Sequence, residues 1–333
     1  MNKLAHIYVM TQNKPLNTES ELFPGVKLFN TVKAKQEGVV ALLATMPKSG
    51  TWYNHYFFYF YHSLLSGKSA SEIEMPIPDS YTKKVNCRMR ETLGLSHLHV
   101  CHTTCPEYEG QLGELEEKWR ALKFYVSGYE YGSTLIDDES YLFSPRYNEN
   151  VRILYYFRNP LDQALSYFRH TRKHKDLRHW SYIDENNQQC FIYDMRTFLF
   201  SVGLDAYIKQ YLTFKLVQKA YPDNVLMLPY EHLIAQPERI FEQVLNHFGH
   251  NIDLQGDRAL FQQALQMSSR DNLSKLENKM GKAMAGDQAD PNERHIRDGS
   301  AGKWREYISA EDICLVEERL NTFGLSLAEF VLD

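Results

Sequence analysis

The stretch "ATMPKSGTWYNHYFF", residues 44–58, closes the apolar run "VVALLAT" (39–45) and opens an aromatic-rich segment. A loop between a strand end and a helix start exposes backbone N–H groups and the positive end of the helix dipole, so an anion binds there readily. Gly50 lets the backbone approach anion oxygens closely, Ser49 and Thr51 add hydroxyl donors, and Lys48 adds a mobile point charge. A Walker A loop needs Gly-x-x-x-x-Gly-Lys-Ser/Thr, and residues 41–47 contain no glycine. The nucleoside triphosphatase reading fails on that spacing.

The layout recurs in "VRILYYFRNPLDQALSYFRH" (151–170). Arg158 sits at the strand end, and Ser166 lies two turns into the following helix, where both can converge on a second anion. The arginine fork suits a terminal phosphate because it makes two parallel bonds. Asn159-Pro160 fixes the turn, and Asp162 can cap the helix or pin the loop. Further on, "HIRDGSAGKW" supplies Arg297, Gly299 and Gly302 as a glycine-rich anion contact. Three separated anion-binding elements imply a ligand with phosphate at more than one place.

The remaining strands are expected at "SHLHVCH" (96–102) and "NVLMLPY" (224–230), with helices after the first, third and fourth runs. One helix starts at Pro237 and stops at Gly249. This alternation predicts an α/β fold, a single domain over residues 1–333 with a central parallel sheet flanked by helices. The polar, glycine-dotted segment 268–303 reads as a long mobile loop. "YNHYFFYFYHSLL", aromatic on nearly every face, reads as buried core, with His55 or Tyr56 facing an acceptor cavity.

The net charge of −5 argues against general nucleic-acid binding. With 333 residues and 43% hydrophobic composition, the chain can bury a substantial core. Five cysteines without framework spacing point to reduced thiols and a cytoplasmic protein. No signal peptide opens the chain, and no apolar run reaches the roughly 20 residues of a spanning helix, so no membrane partner is expected.

Taken in order and spacing, "PKSGTW", "YYFRNPLDQALSYF" and "RDGSAGKW" resemble the cytosolic sulfotransferase family, whose donor is 3′-phosphoadenosine 5′-phosphosulfate (PAPS) and whose fold is P-loop-like. "NVLMLPYEHLIAQPERIFEQVLNHFG" (224–249) extends the resemblance, with Tyr230-Glu231 matching a family Tyr-Glu-Asp segment, as does "SSRDNLSKLENK" (268–279). The resemblance implies that Lys48, Ser49, Gly50 and Thr51 hold the 5′-phosphosulfate, and that Arg158, Ser166, Arg297 and Gly299 hold the 3′-phosphate. It puts Ser268 or Ser269 near the adenosine, Tyr53 or Trp52 against the adenine, and Tyr207 in the adenine pocket as a weaker candidate. On the donor side three positions depart from the family pattern. Trp52 replaces a second threonine, Asp298 stands where lysine is common, and Arg270 replaces phenylalanine and can stack on the base.

Sulfuryl transfer needs positioning, charge stabilisation and a base, and histidine, with a pKa near ~6.5, is the natural base. By the resemblance His102 occupies the catalytic histidine's place, with Val100 where the family has lysine, and Lys48 acts at the sulfonate. A zinc site built on His97, His99, His102, Cys101 and Cys105 lacks a second ligand pair downstream, so no metal is expected. The insertion at about 106–150 is rich in tyrosine and carboxylate. It reads either as a solvated acidic segment or as a lid whose Tyr129, Tyr131, Asp137 and Asp138 select a cationic acceptor. A guanidinium- or amine-bearing alkaloid of secondary metabolism, as in saxitoxin-type pathways, would fit. The family's dimer motif survives only in degraded form after Trp304, leaving monomer or homodimer open. Two other readings stay open: a P-loop nucleotide kinase using Mg²⁺ and ATP, and a catalytically weakened protein that binds PAPS or its product adenosine 3′,5′-bisphosphate (PAP).

Overall fold

The computed structural model describes residues 8–10, 41–46, 48–73, 95–99, 113–115, 117–118, 124–126, 152–173, 180–183, 188–280 and 302–330. In chain order the first elements are β1 (Tyr8–Met10), β2 (Ala41–Thr45), α1 (Thr51–Leu65), β3 (Leu95–His99) and β4 (Phe124–Val126). Next come β5 (Arg152–Phe157), α2 (Pro160–Lys173), β6 (Trp180–Ile183), β7 (Gln189–Ile192) and α3 (Met195–Phe198). A π-helical turn, Leu199–Gly203, joins α3 to α4 (Leu204–Ala220). β8 (Val225–Pro229) leads to α5 (Tyr230–Ala235), α6 (Pro237–His247), α7 (Arg258–Ser268), α8 (Arg270–Met280) and α9 (Ala310–Asn321).

The central sheet has the order β3-β2-β5-β8, and every pair in it is parallel. Parallel strands covered on both faces read as continuous apolar runs, and "RILYYF" is such a run, with Ile153 to Tyr156 all buried. Alternation sends Ile153 and Tyr155 to one face and Leu154 and Tyr156 to the other. On the first face they meet α2, α4 and α9, where Tyr155 stacks on Phe214 with centroids 4.0 Å apart. On the second they meet α1, α6, α7 and α8, where Phe57 stacks on Phe241 at 3.8 Å. The result is a three-layer α/β/α domain. The remaining described strands form two antiparallel pairs, β1 with β4 and β6 with β7.

The topology fixes where a ligand can sit. From β2 the chain moves to β3 on one side, and from β5 it moves to β8 on the other. The crevice between the carboxyl ends of β2 and β5 is therefore the switch point of the sheet, the usual ligand position in open α/β folds. The lysine loop leaves one of these ends and the Arg158 loop leaves the other.

Strands, the Pro237 helix and the buried aromatic helix occur where expected. Tyr56 to Tyr61 are all buried, because α1 is covered by the sheet on one side and by α6 and α7 on the other. One expectation fails. Residues 270–280 of the presumed mobile loop form α8, since Leu273 and Leu276, one turn apart, pack on the α1 face while the intervening polar residues face outward. Residues 281–301 lie outside the described residues. Leu273 is 3% exposed, so Leu273→Ala should cost about 2–5 kcal/mol in denaturant unfolding. A loss below about 0.5 kcal/mol, typical of surface positions, contradicts the packed helix.

Candidate active site

The lysine loop is a tight turn welded to the sheet. Met46 N–H donates to the Tyr156 carbonyl at 3.0 Å, and Ser49 N–H returns to the Met46 carbonyl at 3.0 Å. Lys48 has φ 69°, the one left-handed non-glycine among the described residues, and Gly50 follows at φ 87°. Left-handed residues on both sides of Ser49 curl the backbone into the concave form that holds anions. Gly50 occupies the N-cap of α1 without a side-chain cap, so the N–H groups of the first turn point toward the crevice. Asn54 secures the turn, donating from both N and Nδ2 to the Gly50 carbonyl at 3.1 and 3.0 Å. Ser49 Oγ is fully buried, with no hydrogen-bond partner among the described residues.

The arginine loop is built as firmly. Asn159 Oδ1 caps α2 by accepting from Leu161 N–H at 3.0 Å and Asp162 N–H at 3.4 Å. Asp162 is thereby free for the second role foreseen for it, and its Oδ2 accepts from Gly302 N–H at 2.7 Å. That bond ties the C-terminal glycine segment to the start of α2, and Ser166, half-buried, lies one turn further along the same face. Tyr207 Oη donates to the Arg158 carbonyl at 2.6 Å, and its ring packs on Phe330 and Tyr211. Tyr207 is thus a buried prop under Arg158.

A third element completes the cluster. The corner between β8 and α5 places the Tyr230 ring against Gly50, where an added Cβ would lie 2.7 Å from Cδ2. The Arg158 guanidinium stacks over the same ring, 4.9 Å from its centroid. Glu231 Oε1 lies 3.6 Å from Arg158 Nε and accepts from Asn159 N–H at 3.3 Å. Burial pushes the Tyr230 hydroxyl pKa up, and the Arg158 and Arg270 charges oppose it, which brings Arg270 into the same electrostatic neighbourhood. Tyr53 joins from α1, edge-on to Phe241 at 5.3 Å, its pKa raised to about 12 by burial and by Tyr230. Tyr230 and Glu231 were matched to a family segment in the sequence but given no role there. A tyrosine following a proline at a strand end carries no local sign of what it touches.

Ser268, fully buried at the end of α7, donates to the Leu265 carbonyl at 3.3 Å. Ser269 Oγ accepts from Asn272 N–H at 3.4 Å, and Arg270 opens α8. His55 and Tyr56 are buried in α1, with Tyr56 stacked on Phe60. β3 is described over Leu95–His99, and His99 pairs with Thr45. His102, Arg297, Asp298, Gly299, Tyr129, Tyr131, Asp137 and Asp138, and the Trp52 side chain, lie outside the described residues.

Two outcomes test this geometry. Gly50→Ala forces a left-handed alanine against the Tyr230 ring, so it should keep the circular dichroism of the fold while weakening anion binding at least about tenfold. Unchanged binding contradicts the close approach. Burial also raises the Glu231 carboxyl pKa, with Arg158 and the Asn159 N–H opposing and Asp162 reinforcing. The folded state then holds this proton more tightly than the unfolded chain. Its stabilising contribution is complete below the ordinary glutamate value of about 4.3 and is lost as pH rises through the folded value. The stability advantage of the wild type over Glu231→Gln should therefore shrink with rising pH in denaturant unfolding. An advantage that grows with pH contradicts it.

A mouse sulfotransferase crystallised with PAP is 15% identical over 87% of this chain and 88% of that chain, with a TM-score of 0.47. Retinol dehydratase crystallised with androsterone and the inactive cofactor PAP is 16% identical over 86% and 80%, with a TM-score of 0.49. The sulfotransferase domain of the Synechococcus PCC 7002 olefin synthase is 13% identical over 84% and 94%, with a TM-score of 0.34. No curated protein matches the sequence. The sulfotransferase domain family model matches residues 40–321, from β2 to the last residue of α9, so the chain belongs to the sulfotransferase domain family.

Proposed function

We propose that the protein transfers the sulfonate of PAPS to a hydroxyl or amine of a small molecule, with the donor lying across the β2–β5 crevice. The observation that carries this reading is the pairing of two anion sites at one switch point: the curled Lys48–Thr51 turn and the Arg158 fork. The residues suit such a donor. Ser49 Oγ is buried without a partner, and the Arg158 Nη atoms make no hydrogen bond among the described residues. In this reading the lysine turn and the first-turn amides of α1 take the 5′-phosphosulfate, and Arg158 takes the 3′-phosphate with Ser166, Arg297 and Gly299. Tyr53, Tyr230 and Arg270 offer flat faces and charge near the base.

His102 accepts the proton of the acceptor hydroxyl or amine as its lone pair attacks sulfur. The bond from sulfur to the bridging phosphate oxygen breaks, and Lys48 offsets the charge that develops on that oxygen. Membership of the sulfotransferase family sets the kinase reading aside. The finer reading is that the acceptor is cationic, supported by the carboxylates and tyrosines of segment 106–150. Cationic alkaloids should then turn over faster than neutral phenols or steroids in a side-by-side assay, and equal rates overturn it.

Lys48→Ala and His102→Ala should each remain folded and lose at least about 100-fold in turnover with PAPS and an accepted substrate. Calorimetric titration with PAP should still show binding to the His102 variant. A His102→Ala enzyme at near-normal rate overturns that assignment. Tight PAP binding with no turnover of any acceptor by the wild type favours a catalytically weakened binding protein.

A further inference from the structure

The donor site as described leaves one half-buried carboxylate, Glu231, without a role. Glu231 sits where a negative charge opposes an anionic ligand, and burial already disfavours its ionised form. Its contacts give the compensation. Oε1 accepts from the Asn159 amide at 3.3 Å and faces Arg158 Nε at 3.6 Å, so one carboxylate oxygen touches both the backbone and the side chain of the arginine loop. Its neighbour Tyr230 supplies the flat face beneath the guanidinium at 4.9 Å. A planar guanidinium faced at its Nε edge by a carboxylate at ion-pair distance and stacked from below is restricted in orientation. Its two Nη atoms are then presented as a fork for a second anion. The arginine side chain otherwise carries about 2 kcal/mol of rotamer entropy that a ligand would have to quench.

We propose that Glu231 is the positioning residue that gives this enzyme its preference for a 3′-phosphorylated nucleotide, by pre-orienting the Arg158 fork. This rests on the reading that Arg158 takes the 3′-phosphate. Glu231 touches no reacting atom, and its effect is confined to the 3′ side of the donor. Its removal therefore raises the KM for PAPS and leaves kcat unchanged.

The test compares calorimetric binding of adenosine 3′,5′-bisphosphate and adenosine 5′-monophosphate across four variants. Glu231→Ala should weaken the bisphosphate about tenfold and shift the monophosphate less than about twofold, collapsing their ratio. Glu231→Gln, whose Oε1 still accepts from Asn159 N–H and still faces Arg158 Nε, should recover most of the ratio. Glu231→Asp, with its carboxylate one methylene short, should lose about threefold, and it serves if the alanine variant does not fold. Arg158→Ala should lose the ratio outright. An unchanged ratio in Glu231→Ala or Glu231→Asp beside a lost one in Arg158→Ala overturns the positioning role and leaves the donor reading standing. An unchanged ratio in Arg158→Ala overturns the donor reading itself. Equal weakening of both nucleotides by Glu231→Ala makes Glu231 a merely structural residue and also overturns the proposal.

Discussion

The hydrogen bond from Met46 N–H to the Tyr156 carbonyl carries the β2–β5 pairing one residue past the end of β2, and most of the site hangs from it. It holds the root of the lysine turn against the root of the arginine loop before any side chain is considered. Because the two strands are parallel, both loops leave the sheet at the same end. Because their connections run in opposite directions, neither loop is buried by the other's crossover. Two positive elements can then stand side by side at the carboxyl ends of the strands.

Holding two cationic loops together costs repulsion and strain, and the structure offsets both from below. Lys48 occupies a left-handed conformation that costs about 1–3 kcal/mol and persists only when its surroundings fix it. Ser49 N–H, Asn54 and the Tyr230 ring supply that fixing. On the arginine side the carboxylates of Glu231 and Asp162 and the hydroxyl of Tyr207 tie down charge, amide and carbonyl in turn. The corner at β8 reaches both loops, Tyr230 by touching Gly50 and Arg158 and Glu231 by touching Arg158 and Asn159. The spacing between the two loops is therefore set by a third element, which in the proposed reading orients the Arg158 fork before a ligand arrives.

The parts of this arrangement that were legible in the sequence are those with local signatures. Continuous apolar runs marked β2, β5 and β8, and the order Lys-Ser-Gly-Thr after a strand marked the turn. Arg158 before Asn159-Pro160 marked the second loop. Asp162 was readable as either a cap or a pin, and only tertiary structure decides that Asn159 caps while Asp162 pins Gly302. Tyr207, a weaker candidate for the adenine pocket, props the Arg158 carbonyl, a contact across 49 residues that no local pattern encodes. Tyr230 and Glu231 show the same limit. The helix at 270–280 was hidden because two leucines in a polar stretch fall below the periodicity that marks an amphipathic face, and the packing of Leu273 and Leu276 decides it.

The central claim is that one nucleotide spans both loops. A crystal structure of the protein with adenosine 3′,5′-bisphosphate tests it most directly. The account predicts the 5′-phosphate on the backbone amides at Ser49 to Thr51 and the 3′-phosphate on the Nη atoms of Arg158, with Glu231 still on Nε. A nucleotide seated elsewhere, or one whose 3′-phosphate points away from Arg158, would contradict it.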